Sequence, residues 1–318
     1  MADDMPGYPT YSSGPVIAAS PMSRASFRPE LFEPGLKEVF GMGVESVEDH
    51  LGQAFHIMTS QRAFEEMLSM AGIGYFTRLE EGQGVRYQSI ESRYKSTFYH
   101  LDYASGLRFT HKVKRDMLFN QISEGTQQFG MSASATKATL GWNYLNTGST
   151  VEWNSEEGEY FFSESHPLST RAVGSDTTYS NWVVGTPDFE TIQEAIVLLE
   201  NTPNDMGYPS HQKAAYLFYH PSKRFVVDEW LNSPGRYDST DRIKNSLKGE
   251  LIPVACDYIT STMMLVRGSQ FRTYWFDREP LETAYEEDFD TRDSKFRATF
   301  SCSNGAADWR GWVLISAT

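Results

Sequence analysis

Cysteine is scarce in this sequence, and what else is scarce or missing narrows its function before any motif is sought. Two cysteines among 318 residues, Cys256 and Cys302, are too few for a disulfide framework or a four-thiolate zinc site. Either one bridge joins them or both remain thiols, as a reducing compartment would leave them. Positive charge is also short: 28 Lys and Arg stand against 42 Asp and Glu, a formal net charge of −14. A chain built to grip duplex nucleic acid carries the opposite excess. No run of about 18 apolar residues exists to span a bilayer. The opening stretch, MADDMPGYPTYSSGPVIAASPMS, has acidic residues where a signal peptide is basic, so a soluble, cytosolic product is expected. The catalytic signatures G-x-x-x-x-G-K-[ST], G-x-S-x-G and H-E-x-x-H are all missing. The glycine pairs Gly41/Gly43, Gly72/Gly74 and Gly82/Gly84 lack the third glycine of a dinucleotide fingerprint. Neither a cofactor nor a metal site is expected.

What remains is globular. Hydrophobic residues make up 40% and charged residues 22% of the chain, enough to bury a core across one large fold or about two domains. Six of the 14 prolines (Pro6, Pro9, Pro15, Pro21, Pro29 and Pro34) lie in the opening segment, and the next is Pro167. That segment reads as an arm with no core of its own, held by the body or by a neighbouring chain. Gln61–Met70 then reads as a short helix capped by Ser60, with Phe64, Met67 and Leu68 on its apolar face. Alternation around Val85/Tyr87 and Tyr99/Leu101/Tyr103 predicts a two-stranded excursion over Tyr75–Phe109, which should lie on something. Met131, Ala135, Ala138, Trp142 and Leu145 form one stripe on a long helix within Arg115–Asn146. Thr186-Pro187 reads as the cap and first residue of a helix that buries Phe189, Ile192, Ile196 and Leu199. Strands are expected at Ala214–Tyr219, Thr262–Arg267, Phe271–Trp275, Phe296–Ser301 and Trp312–Ile315, and a helix at Ser222–Leu231. Helices and strands mix without strict alternation, so the class is α+β.

The chemistry-bearing residues are scattered. His100 and His111 could meet across the excursion, but no acid sits at useful spacing. Ser165-His166-Pro167 supports one rival reading, a cytosolic hydrolase using His166 with a nearby Ser or Asp; a plain α+β binding module is another. The excursion through Arg115 is basic, eight cations including Arg86, Arg93 and Lys95 against four acids. Between Asp277 and Asp293 the balance reverses, with eight carboxylates, among them Glu286, Glu287, Asp288 and Asp290, against two arginines. Hard cations take oxygen ligands, but EF-hand spacing is absent and a solvated acidic face accounts for the run. Opposite patches in one chain suggest contact between subunits, and these residues are the candidate assembly contacts.

Three stretches carry a family resemblance: GEYFFSESHPL (Gly158–Leu168), EEDFDTRDSKF (Glu286–Phe296) and GAADWRG (Gly305–Gly311). With the NDMGYP turn (Asn204–Pro209) between them, they are similar to segments of the major capsid proteins of tailed bacteriophages, including Mu-like head subunits. The resemblance runs from about Gly106 to the last residue. It implies a Hong Kong 97-type capsid fold: an N-terminal arm (1–60), an E-loop hairpin (about 75–109), a spine helix (about 115–146) inside a first peripheral segment (61–185), an axial domain (186–270) and a second peripheral segment (271–318). It implies a structural protein rather than an enzyme, which self-assembles into hexamers and pentamers of an icosahedral virion head enclosing double-stranded DNA. The shell would be assembled in the host cytoplasm, without sequence-specific DNA binding and without a membrane. The implied partners are further copies of the chain, a separate scaffolding protein and a portal, and a decoration protein is compatible. Some relatives crosslink a loop lysine, but the position of Lys95 alone does not carry that chemistry. Trp309 is expected in the peripheral core, and Arg310 in a fixed ion pair.

Overall fold

A computed structural model describes residues 32–70, 75–76, 78–85, 87–88, 92–116, 119–151, 153–168, 178–235 and 244–317. The five prolines before Pro34, and Arg86, lie outside them. The chain opens with helices α1 (Phe32–Glu45) and α2 (Leu51–Ala54) and strands β1 (His56–Thr59), β2 (Phe64–Met70), β3 (Ser92–Tyr99) and β4 (Leu101–Phe109). A short α3 (His111–Arg115) leads into the long α4 (Phe119–Asn146), followed by the small strands β5 (His166–Pro167), β6 (Thr178–Tyr179) and β7 (Trp182–Val184). Then come α5 (Phe189–Glu200), β8 (Ala214–Tyr219), α6 (Arg224–Asn232), β9 (Ile252–Ala255), β10 (Met263–Gly268), β11 (Arg272–Glu287), β12 (Ser294–Asp308) and β13 (Trp312–Ser316). Among the described residues no helix is long and apolar enough to cross a membrane.

One sheet, ordered β7-β13-β10-β8-β9, separates two apolar cores. Because side chains alternate across a strand, Trp312 and Leu314 of β13, Leu265 of β10 and Phe218 of β8 face the core that holds Trp142 and Leu145 of α4. Their neighbours Val313, Ile315, Met264, Val266 and Leu217 face the other core, closed by Phe189, Ile192 and Leu199 of α5. The second sheet, β1-β11-β12-β4, is long. Phe296 and Ala298 of β12 meet Leu36 and Phe40 of α1 and Phe129 of α4 on its covered face.

Several expected elements differ in the structure. Gln61–Met70 is a strand from Phe64, not a helix: it pairs with β3, Phe64 opposite Tyr99 and Met67 opposite Ser96. Phe64, Glu66, Leu68 and Met70 alternate as well as Phe64, Met67 and Leu68 follow a helix, and the partner strand decides between the two periods. The excursion expected over Tyr75–Phe109 is therefore shifted. Its hairpin is β2–β3, while β4 leaves it and pairs with β12, Phe296 opposite Leu107. The cap of α5 is Asp188, whose carboxylate accepts from Thr191 N while the Thr191 hydroxyl accepts from Asp188 N; Thr186 and Pro187 precede it. Of the α4 stripe, Ala138, Trp142 and Leu145 are buried but Met131 is exposed.

The opening segment also contributes more than an arm. Leu36 and Phe40 of α1 are spaced i, i+4 and are buried. Glycines let α1 and α4 touch backbone to backbone. A Cβ on Gly130 would sit 2.2 Å from the Phe40 carbonyl oxygen, and one on Gly43 would sit 2.1 Å from that of Gln127. Cys256 and Cys302 are free thiols in the Trp142 core, where burial pushes their pKa values up to about 11 and about 12.

Candidate assembly surface

The β2–β3 hairpin stands on the body mainly through the base of β3, with Ser69 of β2 buried and Tyr75 against Tyr208, ring centroids 3.9 Å apart. Phe98 of β3 is buried and packs edge-on against Tyr274 and Phe276. Backbone bonds from Thr97 N to Asn154 O (3.0 Å) and from Glu156 N to Lys95 O (3.1 Å) tie the strand to the loop after α4. Beyond the base, apolar side chains face water: Tyr75, Leu79, Val85 and Tyr87 are exposed, and Phe76 is 98% exposed. A cluster of large exposed apolar groups on one projecting element marks an interaction surface.

Electrostatics fix the base. Arg93 Nη1 of β3 donates to Asp205 Oδ1 at 2.6 Å, and Arg310 Nη2 donates to the same oxygen at 2.8 Å. Arg310 also binds Asp308 at 3.1 Å and donates through Nε to the Pro203 carbonyl at 2.9 Å. Burial alone would lower the Arg310 pKa, but Asp308, Asp205 and Glu157 outweigh it and the net shift is upward. Asp205 is held for this task by its own turn. Asn204 Oδ1 accepts from Met206 N and Tyr208 N, both at 2.9 Å, and Gly207 supplies the positive φ of 80° that the reversal needs. Three distant segments thus meet at one carboxylate.

Beside this clamp lies His166, fully buried and stacked on Trp309 with ring centroids 4.2 Å apart. Its Nδ1 is 3.2 Å from Glu157 Oε1 and its Nε2 is 3.1 Å from Asn181 Oδ1. Both nitrogens are occupied and the ring is closed off from water, so His166 has no face left for a substrate. Trp309 is itself 2% exposed, with the Arg310 guanidinium 4.6 Å above its ring. His100 lies between Ser60 (3.2 Å) and Ser303 (3.0 Å), whereas the backbone N of His111 donates to Asp293.

The other candidate contacts are largely engaged within the subunit. Lys95 binds Glu66 at 3.0 Å, and Lys114 pairs with Glu287. Lys295 and the turn amides of Asp290 and Thr291 hold the Asp288 carboxyl far below its usual pKa. The sequence argument that opposite charges lack partners inside one chain therefore does not apply to Arg93, Lys95, Glu287 or Asp288. Glu286 and Asp290 have no ion-pair partner among the described residues, and no group of three or more His, Cys, Asp or Glu there is placed to hold a metal. Sequence reasoning missed Asp205, Glu157 and Asn181. The Asp205 contacts span 105 and 112 residues, so no local spacing could reveal them.

No protein-family model matches the sequence, and neither does any curated protein. Solved structures do match. A structure of Mycobacterium phage Patience is similar over 93% of this chain and 90% of its own, with a TM-score of 0.60 and 11% identity. The capsid of a native GTA particle is similar over 84% and 89%, with a TM-score of 0.54 and 11% identity. The fold is that of phage capsid subunits. It extends to a virus-like particle from Pyrococcus furiosus, similar over 90% of this chain and all (100%) of that one, with a TM-score of 0.53 at 9% identity. At such identities the capsid-subunit fold is shared while almost every side chain differs. The contacts between copies must therefore be argued from this chain's own residues.

Proposed function

We propose that this chain is a major capsid subunit of a tailed phage, of the Hong Kong 97 type, whose copies assemble as hexamers and pentamers into an icosahedral head around double-stranded DNA. The observation that carries the reading is the β2–β3 hairpin, clamped at its base and carrying exposed Phe76, Leu79, Val85 and Tyr87 on either side of its turn, on a fold shared with phage capsids. Such an element is completed by a neighbouring copy, which would cover Phe76 and Tyr87. In this reading residues 1–60 are the arm, the hairpin is the E-loop, α4 is the spine of the peripheral domain, 186–270 form the axial domain, and 271–318 return to the peripheral domain, with Trp309 in its core. The net charge of −14 suits a container, since a wall that repels DNA lets the genome pack and leave. A separate scaffolding protein and a portal would complete the assembly, and its place would be the virion. Of the proposed assembly contacts, Arg93, Lys95, Glu287 and Asp288 would act by holding loops in shape, and Glu286 and Asp290 are free to meet a neighbour.

Negative-stain microscopy and light scattering of the purified chain test this. Closed shells or rings are expected from the wild type, and only dispersed subunits with an unchanged circular-dichroism spectrum from Phe76→Asp. Shells of normal yield from the variant would remove the hairpin from the assembly contacts, and a wild type that associates neither alone nor with its scaffolding protein would remove the capsid role.

A further inference from the structure

The tip of the β11–β12 hairpin presents Phe289, 97% exposed, on a turn that leaves it little freedom. Asp288 Oδ1 accepts from Asp290 N and Thr291 N at 3.0 and 3.2 Å, and the Arg292 N to Asp288 O bond (2.8 Å) closes the reversal at a positive φ of 58°. Lys295–Asp288 and Arg108–Asp293, both 2.8 Å, lock its two sides. Single exposed apolar residues are ordinary, but a ring already held in place loses little entropy on making a contact. Asp290 beside it is exposed and has no ion-pair partner among the described residues.

On the open face of the same sheet, away from α1 and α4, lies a trough of about 540 Å³. Arg297 lies in it, flanked across the strands by Gly106 and Ala284, whose lack of bulk leaves its guanidinium uncovered. Arg297 is exposed and, among the described residues, has no ion-pair partner. The ring and free carboxylate on the tip match the small-residue floor of Gly106 and Ala284 and the free Arg297 cation in the trough, whose rim also carries Arg108, Lys295 and Glu286. Tip and trough adjoin on one hairpin: Lys295 and Arg108, which line the trough, hold Asp288 and Asp293 of the tip.

We propose that Phe289 and Asp290 of one copy seat in the Gly106–Arg297–Ala284 trough of a second copy, the ring against the guanidinium and the carboxylate paired with it. Knob and socket are different surfaces, so the contact is heterologous: each copy gives a tip to one neighbour and a trough to another, closing into a ring if the rotation allows. The proposal rests on the reading that copies of this chain associate.

Co-expression of a Phe289→Cys chain with a differently tagged Ala284→Cys chain, followed by mild oxidation, tests it. Both positions are exposed, so folding is spared, and Cys256 and Cys302 are too buried to compete. A cross-link joining the two tags is expected, with none from either variant alone. Phe289→Ala, Asp290→Arg and Arg297→Asp should each weaken self-association about tenfold, and the last two combined should restore it. Shells without the mixed cross-link, or Phe289→Cys chains linked only to each other, overturn the contact and leave the capsid reading standing. Chains that stay dispersed and un-cross-linked even when co-expressed with the scaffolding protein overturn both.

Discussion

Strands β10 and β2 are both rich in Met and Leu, yet every residue of β10 is buried while β2 leaves Phe64, Leu68 and Met70 in water. The difference lies in their neighbours. β10 pairs along both edges, with β13 and β8, and each of its faces meets a core. β2 pairs along one edge, with β3, and among the described residues only its Glu65–Met67–Ser69 face is even partly covered. Apolar content states how much area a segment can bury, and the count of adjacent elements decides whether one chain suffices to bury it. The interior sheet is complete in the subunit; the hairpin leaves one apolar face in water, which the proposed neighbouring copy would cover.

Cutting into the complete side should have the largest effect. Trp312→Ala, at a fully buried residue touching Phe218 and Phe271, should cost about 3–5 kcal/mol, read as a lower urea midpoint. A loss under about 1 kcal/mol would mean that the two sides are not as different as their burial. The junction between them comes next. Asp205→Ala should cost about 3 kcal/mol, the low end for removing one member of a buried charge cluster, because Arg310 keeps Asp308. The same variant should free the base of β3, read as faster amide exchange at Thr97. Protection at Thr97 equal to the wild type would mean that packing of Phe98 alone holds the hairpin.

The thiols give the smallest and most specific readout. With Cys256 and Cys302 shifted to about 11 and about 12 from an ordinary 9.0, the folded state keeps protons that the unfolded chain releases. Stability should be unaffected by these groups below pH 9 and fall as pH rises through 11 to 12. At pH 8 a thiol reagent should label neither cysteine until denaturant is added and then label both. Labelling of the native protein would show that the Trp142 core opens readily.

Much of the complete side was legible in the sequence, because its periodicities have one solution. Ala214–Tyr219, Thr262–Arg267 and the face Phe189/Ile192/Leu199 stand within a residue or two of where alternation and helical spacing put them. The projecting side was not. Phe64, Met67 and Leu68 satisfy a helix and a strand equally, and only the arrival of β3 excludes the helix. In α1 the signal was present in Leu36, Phe40 and Val44 at steps of four, but the Pro-rich residues around it read as an arm with no core of its own. Trp309 and Arg310 stood out from their resemblance to a capsid motif, whereas Asp205, which binds Arg310, sits in a turn whose sequence signals only the turn.

That shared carboxylate bears on timing. Arg93 is synthesised long before Asp205, and Asp205 long before Arg310, so the clamp is made of long-range contacts, spanning 105 and 112 residues, of the kind that slows folding. Until Arg310 arrives, Arg93 and Asp205 hold each other without their third member, and the hairpin has no fixed angle to present. A growing chain therefore cannot fix the base of its hairpin, and under the proposed capsid reading only finished subunits would be competent to add to a shell.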